Sequence, residues 1–216
     1  MNPAVMPVAP LPQPIARSAL RPSRLAAALL LACSLPAACT GGGQAAEPPL
    51  AGAAIGGPFE LVDSAGKTVR WSDYDGRYRM VYFGYAFCPD VCPFDLQRMM
   101  QGYQAFARAN PDRAAEIQPI FITIDPARDT PQVVGEFTAN FGEELVGLTG
   151  TPEQVDAAAK AFAMYYAKGE VSAGGGYLMD HGRQAYLMGR EGEPIALLPV
   201  DSSGQDVATE LDKWVT

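Results

Sequence analysis

The chain has 216 residues and a formal net charge of −8 at pH 7, a length suited to one compact domain with appendages. Hydrophobic residues make up 48% and charged residues 19%, so a sizeable core is available and global disorder is excluded. The acidic balance leaves no basic footprint for nucleic acid.

At the N-terminus, Arg17, Arg21 and Arg24 precede an apolar run from Leu25 to Leu31 and then a tail of small residues ending at Cys39. That is the layout of a secretory signal. Leu25 to Ala38 falls short of the about 20 residues a transmembrane helix needs. Leu35-Pro36-Ala37-Ala38-Cys39 resembles a bacterial lipobox, whose cysteine is acylated after cleavage, although leucine is usual where Pro36 stands. Leu30-Leu31-Ala32-Cys33 is the second candidate. The expected organisation is a signal and N-terminal extension over 1–38, a Gly-, Ala- and Pro-rich flexible linker over 39–57, and a globular domain over 58–216. A lipid on Cys39 (or Cys33) would tether the protein to the periplasmic side of a bacterial inner membrane. Thiols tend to be oxidised there.

From Pro58 the pattern alternates between strand and helix. Phe59–Val62 and Thr68–Trp71 flank a Ser-Ala-Gly-Lys turn and predict a hairpin. Arg79–Tyr85 is a short apolar run, a buried strand. Pro93 to about Ala109 carries Leu96, Met99, Met100, Tyr103 and Phe106 at helical spacing, and Asn110-Pro111 stops it. Ile117–Ile124 is a second buried strand. Thr130-Pro131 opens a helix to about Phe141. Leu145–Leu148 is a short strand. Thr151-Pro152-Glu153-Gln154 is a capping box that opens a helix to about Tyr166. Arg183–Met188 and Pro194–Leu198 are strands around a Gly189–Gly192 turn, and Gln205–Val215 closes the chain as a helix. This order matches an α/β thioredoxin-like fold: a central mixed sheet flanked by helices, with an N-terminal β-hairpin.

Cys88-Pro89-Asp90-Val91-Cys92 places two thiols between a strand and a helix. A helix N-terminus favours thiolates, the form that attacks disulfides and binds metals. A structural disulfide, a redox couple and a metal site are the three readings of the pair. The single histidine, His181, precedes a predicted strand in the loop that faces the Cys loop in such a fold. Cys88, Cys92 and His181 together form an S2N set. Two thiolates select Cu(I), imidazole also suits Cu(II), and zinc ordinarily wants a fourth ligand. No proline stands between Gly169 and Gly192, where thioredoxin-like reductases keep one against their active disulfide, and this favours metal binding. Met164, Met179 and Met188 read as core rather than ligands. Asp90 and Asp180, each beside a proposed ligand, could orient His181 or tune the thiols; for Asp90, helix capping or solvation is an equal reading. Asp125 to Pro131 reads as scaffold, with Asp129 or Thr130 capping a helix and Arg128 pairing with Asp125 or Asp129.

Three motifs in order then carry a resemblance. Phe83-Gly84-Tyr85-Ala86-Phe87-Cys88-Pro89-Asp90-Val91-Cys92-Pro93 is the first. Ile122-Thr123-Ile124-Asp125-Pro126-Ala127-Arg128-Asp129-Thr130-Pro131 is the second. Tyr177-Leu178-Met179-Asp180-His181, followed by Tyr186-Leu187-Met188, is the third. Together they resemble the Sco/SenC family of cytochrome oxidase assembly proteins, over nearly the whole chain from Pro58. The resemblance implies copper, as Cu(I) or Cu(II), bound by Cys88, Cys92 and His181. It implies a metallochaperone that serves the binuclear copper site in a subunit of a haem-copper oxidase. The alternative it carries is a periplasmic thiol-disulfide oxidoreductase, with Cys88 and Cys92 catalytic, that reduces the cysteines of that site or of other periplasmic copper or thiol-disulfide proteins. A peroxidase reading is disfavoured because no Thr-x-x-Cys pattern is present. Gly182 stands where the family commonly has serine, and Gly169–Gly176 is a short, glycine-rich loop.

Overall fold

The computed structural model describes residues 46–216. Cys33, Cys39 and the proposed signal lie outside the described residues. β1 (Glu60–Val62) and β2 (Thr68–Arg70) form the expected antiparallel hairpin, pairing Leu61 with Val69, both buried. A 3-10 turn at Trp71–Tyr74 leads into β3 (Tyr78–Gly84). Then come α1 (Val91–Ala109), the single turn α2 (Pro111–Ala114), β4 (Ile117–Thr123), α3 (Pro131–Thr138), β5 (Val146–Leu148) and α4 (Pro152–Ala161). The chain ends with β6 (Tyr166–Lys168), β7 (Met179–His181), β8 (Ala185–Met188), β9 (Pro194–Leu198) and α5 (Gly204–Trp214).

The central sheet has the order β5-β4-β3-β8-β9. β3, β4 and β5 run parallel, and β8 and β9 are antiparallel. Every residue of β3 and β4 is buried, as strands covered on both faces require. Two neighbours on β3 identify the covers. The Tyr82 hydroxyl donates to Asp95 of α1 at 3.1 Å, and the Phe83 ring packs on Phe162, just past α4, at 5.4 Å between centroids. Successive strand side chains point to opposite faces, so α1 and the end of α4 lie on opposite sides of the sheet. α5 packs against α1. The helices approach so closely that a Cβ on Gly102 would stand 2.5 Å from the Val207 side chain. The fold is the thioredoxin-like α/β arrangement expected, with helices on both faces of a mixed sheet.

Three expectations change. α4 ends at Ala161 rather than near Tyr166, closed by a Schellman motif. Met164 N–H reaches Ala159 O at 2.8 Å, Ala163 N–H reaches Lys160 O at 3.1 Å, and Ala163 takes a left-handed φ of 50°. Glycine usually marks such a stop, and here alanine hides it. Tyr166–Lys168 then pairs with Met179–His181 as a separate two-stranded sheet, so His181 ends a short strand instead of lying in a loop. α3 stops at Thr138, and the chain turns through Asn140 and Phe141. Upstream, Leu50 N–H bonds to Ile195 O and Gly56 N–H to Ala161 O, so residues 50–56 lie against the domain. Among the described residues no helix is long and apolar enough to cross a membrane.

Candidate metal centre

The parallel strands β3 and β4 end at the same edge, and the β3–α1 connection opens there. A turn begins it, with Cys88 N–H donating to Tyr85 O at 3.2 Å. Its middle is pinned from the next crossover: Asp129 Oδ2 accepts from Ala86 N–H at 2.9 Å and from the Thr123 hydroxyl at 2.6 Å. Burial raises the Asp129 carboxyl above its ordinary range, against those two bonds. Asp90 is the N-cap residue of α1, which puts Cys92 in the first turn. The Cys92 sulfur sits under the end of β3, where a Cβ on Gly84 would stand 3.1 Å from it. Glycine there leaves room for the sulfur.

β7 brings His181 to the same place. Cys92 Sγ lies 3.2 Å from His181 Nε2, and the donor atoms of Cys88, Cys92 and His181 all fall within 4.8 Å of one another. His181 Nδ1 stands 2.6 Å from Gly182 O. A carbonyl only accepts, so Nδ1 carries a proton and the bond turns Nε2 toward the sulfurs. Tyr82 and Tyr85 meet the imidazole edge-on at centroid distances of 6.4 and 6.0 Å. Cys92 is fully buried, while Cys88 and His181 are half-buried.

The two thiols divide one charge unequally. Cys88 is held down to about 3 from the usual thiol value, first by the hydrogen bond with the Cys92 thiol and then by His181 and the backbone N–H groups of Asp90 and Cys92; burial opposes this. Cys92 is pushed up by the same bond to Cys88 and by burial. The pair therefore gives up one proton easily and holds the second. A bound cation supplies the charge that frees the second, since a coordinating thiol is deprotonated outright. Two thiolates and an imidazole could hold one soft ion.

A family model described as SCO1/SenC matches residues 47–216. The chain belongs to the SCO1/SenC family. Protein SenC of Rhodobacter capsulatus is 45% identical over 141 residues, 64% of this chain and 60% of that protein. The human mitochondrial SCO1 homolog is 39% identical over 139 residues, 64% of this chain and 46% of that protein. The chain thus spans roughly half the length of these curated relatives. Among solved structures, Arabidopsis thaliana ScoI with copper bound is 33% identical, with a TM-score of 0.67, covering 74% of this chain and 96% of that one. Bradyrhizobium japonicum ScoI with copper bound is 32% identical, also with a TM-score of 0.67, covering 74% and 99%.

Within this SCO1/SenC site, some expectations about the surroundings are corrected. The Asp90 and Asp180 side chains are exposed and bond to none of the three donors; Asp90 acts through its backbone N–H, and Gly182 O orients the imidazole. Met164, Met179 and Met188 are core residues, as read. Thr130 caps α3 and Arg128 pairs with Asp125. The sequence reading missed Asp95 and Arg183. Asp95 is fully buried one turn beyond Cys92. Arg183, two residues past His181, grips it with Nε at 3.0 Å and a terminal nitrogen at 2.7 Å. This bidentate pair ties the cysteine helix to the histidine segment across 88 residues. One sign was available: Asp95 interrupts the apolar stripe of Cys92, Leu96 and Met99 on α1.

Proposed function

We propose that this chain is a copper metallochaperone that carries one copper ion on Cys88, Cys92 and His181. The recipient is the binuclear copper site in a subunit of a haem-copper cytochrome oxidase. The observation that carries the reading is the convergence of these three donors, in a fold shared with relatives solved with copper bound. Copper is cargo here. On arrival Cu(I) displaces the proton that the two thiols share and takes both as thiolates. His181, already turned by Gly182 O, offers Nε2 as the third ligand. Release starts at the half-buried side, where an incoming ligand exchanges first with Cys88 or His181 while buried Cys92 holds on. Phe87, Phe94 and Leu178, each more than half exposed and each close in sequence to a ligand, give an acceptor an apolar surface to dock on. The lipobox-like Cys39 (or Cys33) supports a tether on the periplasmic side of the bacterial inner membrane.

The test is transfer. Copper-loaded protein mixed with a copper-free oxidase fragment bearing the binuclear site should build that site's spectrum in proportion to the copper lost. No transfer from a loaded, folded donor would refute the role.

One observation favours a second reading, a thiol-disulfide reductase acting on the same cysteines. A low-pKa, half-exposed Cys88 beside a buried Cys92 is the asymmetry of an attacking and a resolving thiol. Metal-free protein that rapidly reduces an oxidised copper-site peptide, and loses this with Cys88→Ser, would establish it.

A further inference from the structure

His181 stands outside the central sheet. Among the described residues β7 pairs only with β6, and an isolated two-stranded hairpin is marginal by itself. The main sheet fixes the cysteine loop; it does not fix the histidine hairpin by any ladder. Something else must press the third ligand onto the first two.

The Arg183–Asp95 pair holds the segment after His181; on the other side of β7, one further side chain reaches both the hairpin and the cysteine loop. Arg128 comes from the β4–α3 loop and is mostly buried. Its guanidinium lies 3.7 Å from the centroid of the Tyr177 ring, two residues before β7, and donates to Tyr177 O at 2.9 Å. Arg128 Nε donates to Asp125 Oδ2 at 2.5 Å, and the Tyr177 hydroxyl donates to Asp125 Oδ1 at 2.9 Å. This closes a ring of contacts around the hairpin's far end. The same guanidinium stands 5.1 Å from the Phe87 ring, immediately before Cys88, and 5.6 Å from Tyr85. Lys168 of β6 adds a second cation 3.9 Å from the Tyr177 ring. One Arg128 amino group is buried without a hydrogen-bond acceptor, which fits a group placed for stacking among rings.

We propose that Arg128 is a positioning residue: it clamps the His181 hairpin onto the Cys88–Cys92 loop and so sets whether the third ligand is presented. This rests on the copper reading above. Without the clamp, the two thiolates still take Cu(I). Cu(II), which needs the imidazole, is held only while the hairpin is docked, and its hold weakens by the docked fraction.

The test compares Arg128→Ala and the milder Arg128→Lys with the unaltered full chain. Lysine keeps the charge but cannot stack as a plane while donating to both Asp125 and Tyr177 O. In metal-free protein, amide exchange at residues 166–168 and 179–181 should quicken at least about fivefold in Arg128→Ala, and less in Arg128→Lys, with β3 and β4 unchanged. Cu(II) should leave about tenfold faster with an altered spectrum, while Cu(I) stoichiometry stays at one. A general structural defect would instead loosen β3 and β4 and weaken both oxidation states equally. That result, or unchanged hairpin exchange in both variants, would overturn the proposal. If Arg128→Ala does not fold, Arg128→Lys decides it. If the unaltered chain takes up no copper, the copper reading fails, and hairpin exchange alone decides the clamp.

Discussion

Replacing Arg183 by leucine would strand the Asp95 carboxylate inside the protein. Asp95 is fully buried and has two other polar side-chain neighbours: the Tyr82 hydroxyl at 3.1 Å, and Arg98, whose terminal nitrogen stands at 3.8 Å. Removing one partner of a buried pair costs roughly 3–5 kcal/mol. The Arg183 side chain is 45% exposed, so solvent screens part of the pair and Arg98 can approach. Both reduce the expected loss to about 2–3 kcal/mol. For a domain of this size that lowers the melting temperature by about 5–10 °C. Asp95→Asn should cost less, about 1–2 kcal/mol, because Arg183 can turn out to water while asparagine keeps one acceptor. The assay is urea unfolding of the two single variants and the double variant. The cycle should return a coupling energy of at least about 1.5 kcal/mol. An Arg183→Leu cost below about 0.5 kcal/mol, or coupling below about 0.3 kcal/mol, would refute the argument that this pair joins the two halves of the site.

Other expectations are narrower. In reduced, metal-free protein, alkylation of Cys88 should proceed at nearly constant thiolate fraction from neutral pH downward and fail only near its depressed value of about 3; a midpoint near the ordinary thiol value of about 8.5 would contradict the shared-proton pair. Because that thiol titrates lower folded than unfolded, its contribution to stability is complete above the unfolded value and fades as pH falls toward the folded one. Urea unfolding of the reduced protein at several pH values, with Cys88→Ser as reference, checks the sign. Gly102→Ala should cost about 1–3 kcal/mol by driving α1 off α5, read as a lowered urea midpoint. Phe162→Ala removes a fully buried ring that touches Trp71, Phe83 and Tyr186, for about 3–5 kcal/mol. It lies on the sheet face opposite α1, so copper stoichiometry of the folded fraction should not change.

The parts of the fold that could be read had local signatures. β3 and β4 are unbroken apolar runs because both faces are covered. α3 and α4 announce themselves through Thr130 and Thr151, whose hydroxyls accept from backbone N–H groups three residues on. The three candidate ligands were likewise legible, because two cysteines separated by three residues stand beside a helix start and the chain holds a single histidine. What stayed hidden depends on pairing at a distance. β6 and β7 are three residues each, too short for any period, and the helix before them stops on an alanine where glycine would have been the cue. The Asp95–Arg183 pair and the Arg128 stack join segments 88 and 49 residues apart, and no local pattern says which charge meets which.

On the proposed function, Cys88, Cys92 and His181 bind one copper ion between them. Copper analysis and absorption and electron paramagnetic resonance spectra of the purified chain, beside Cys88→Ser, Cys92→Ser and His181→Ala, test it most directly. The expected result is one copper per chain, loss of tight binding in each cysteine variant, and in His181→Ala a Cu(II) spectrum without the imidazole contribution and a weaker hold on Cu(II). A His181→Ala protein that binds Cu(II) with unchanged spectrum and affinity would contradict it.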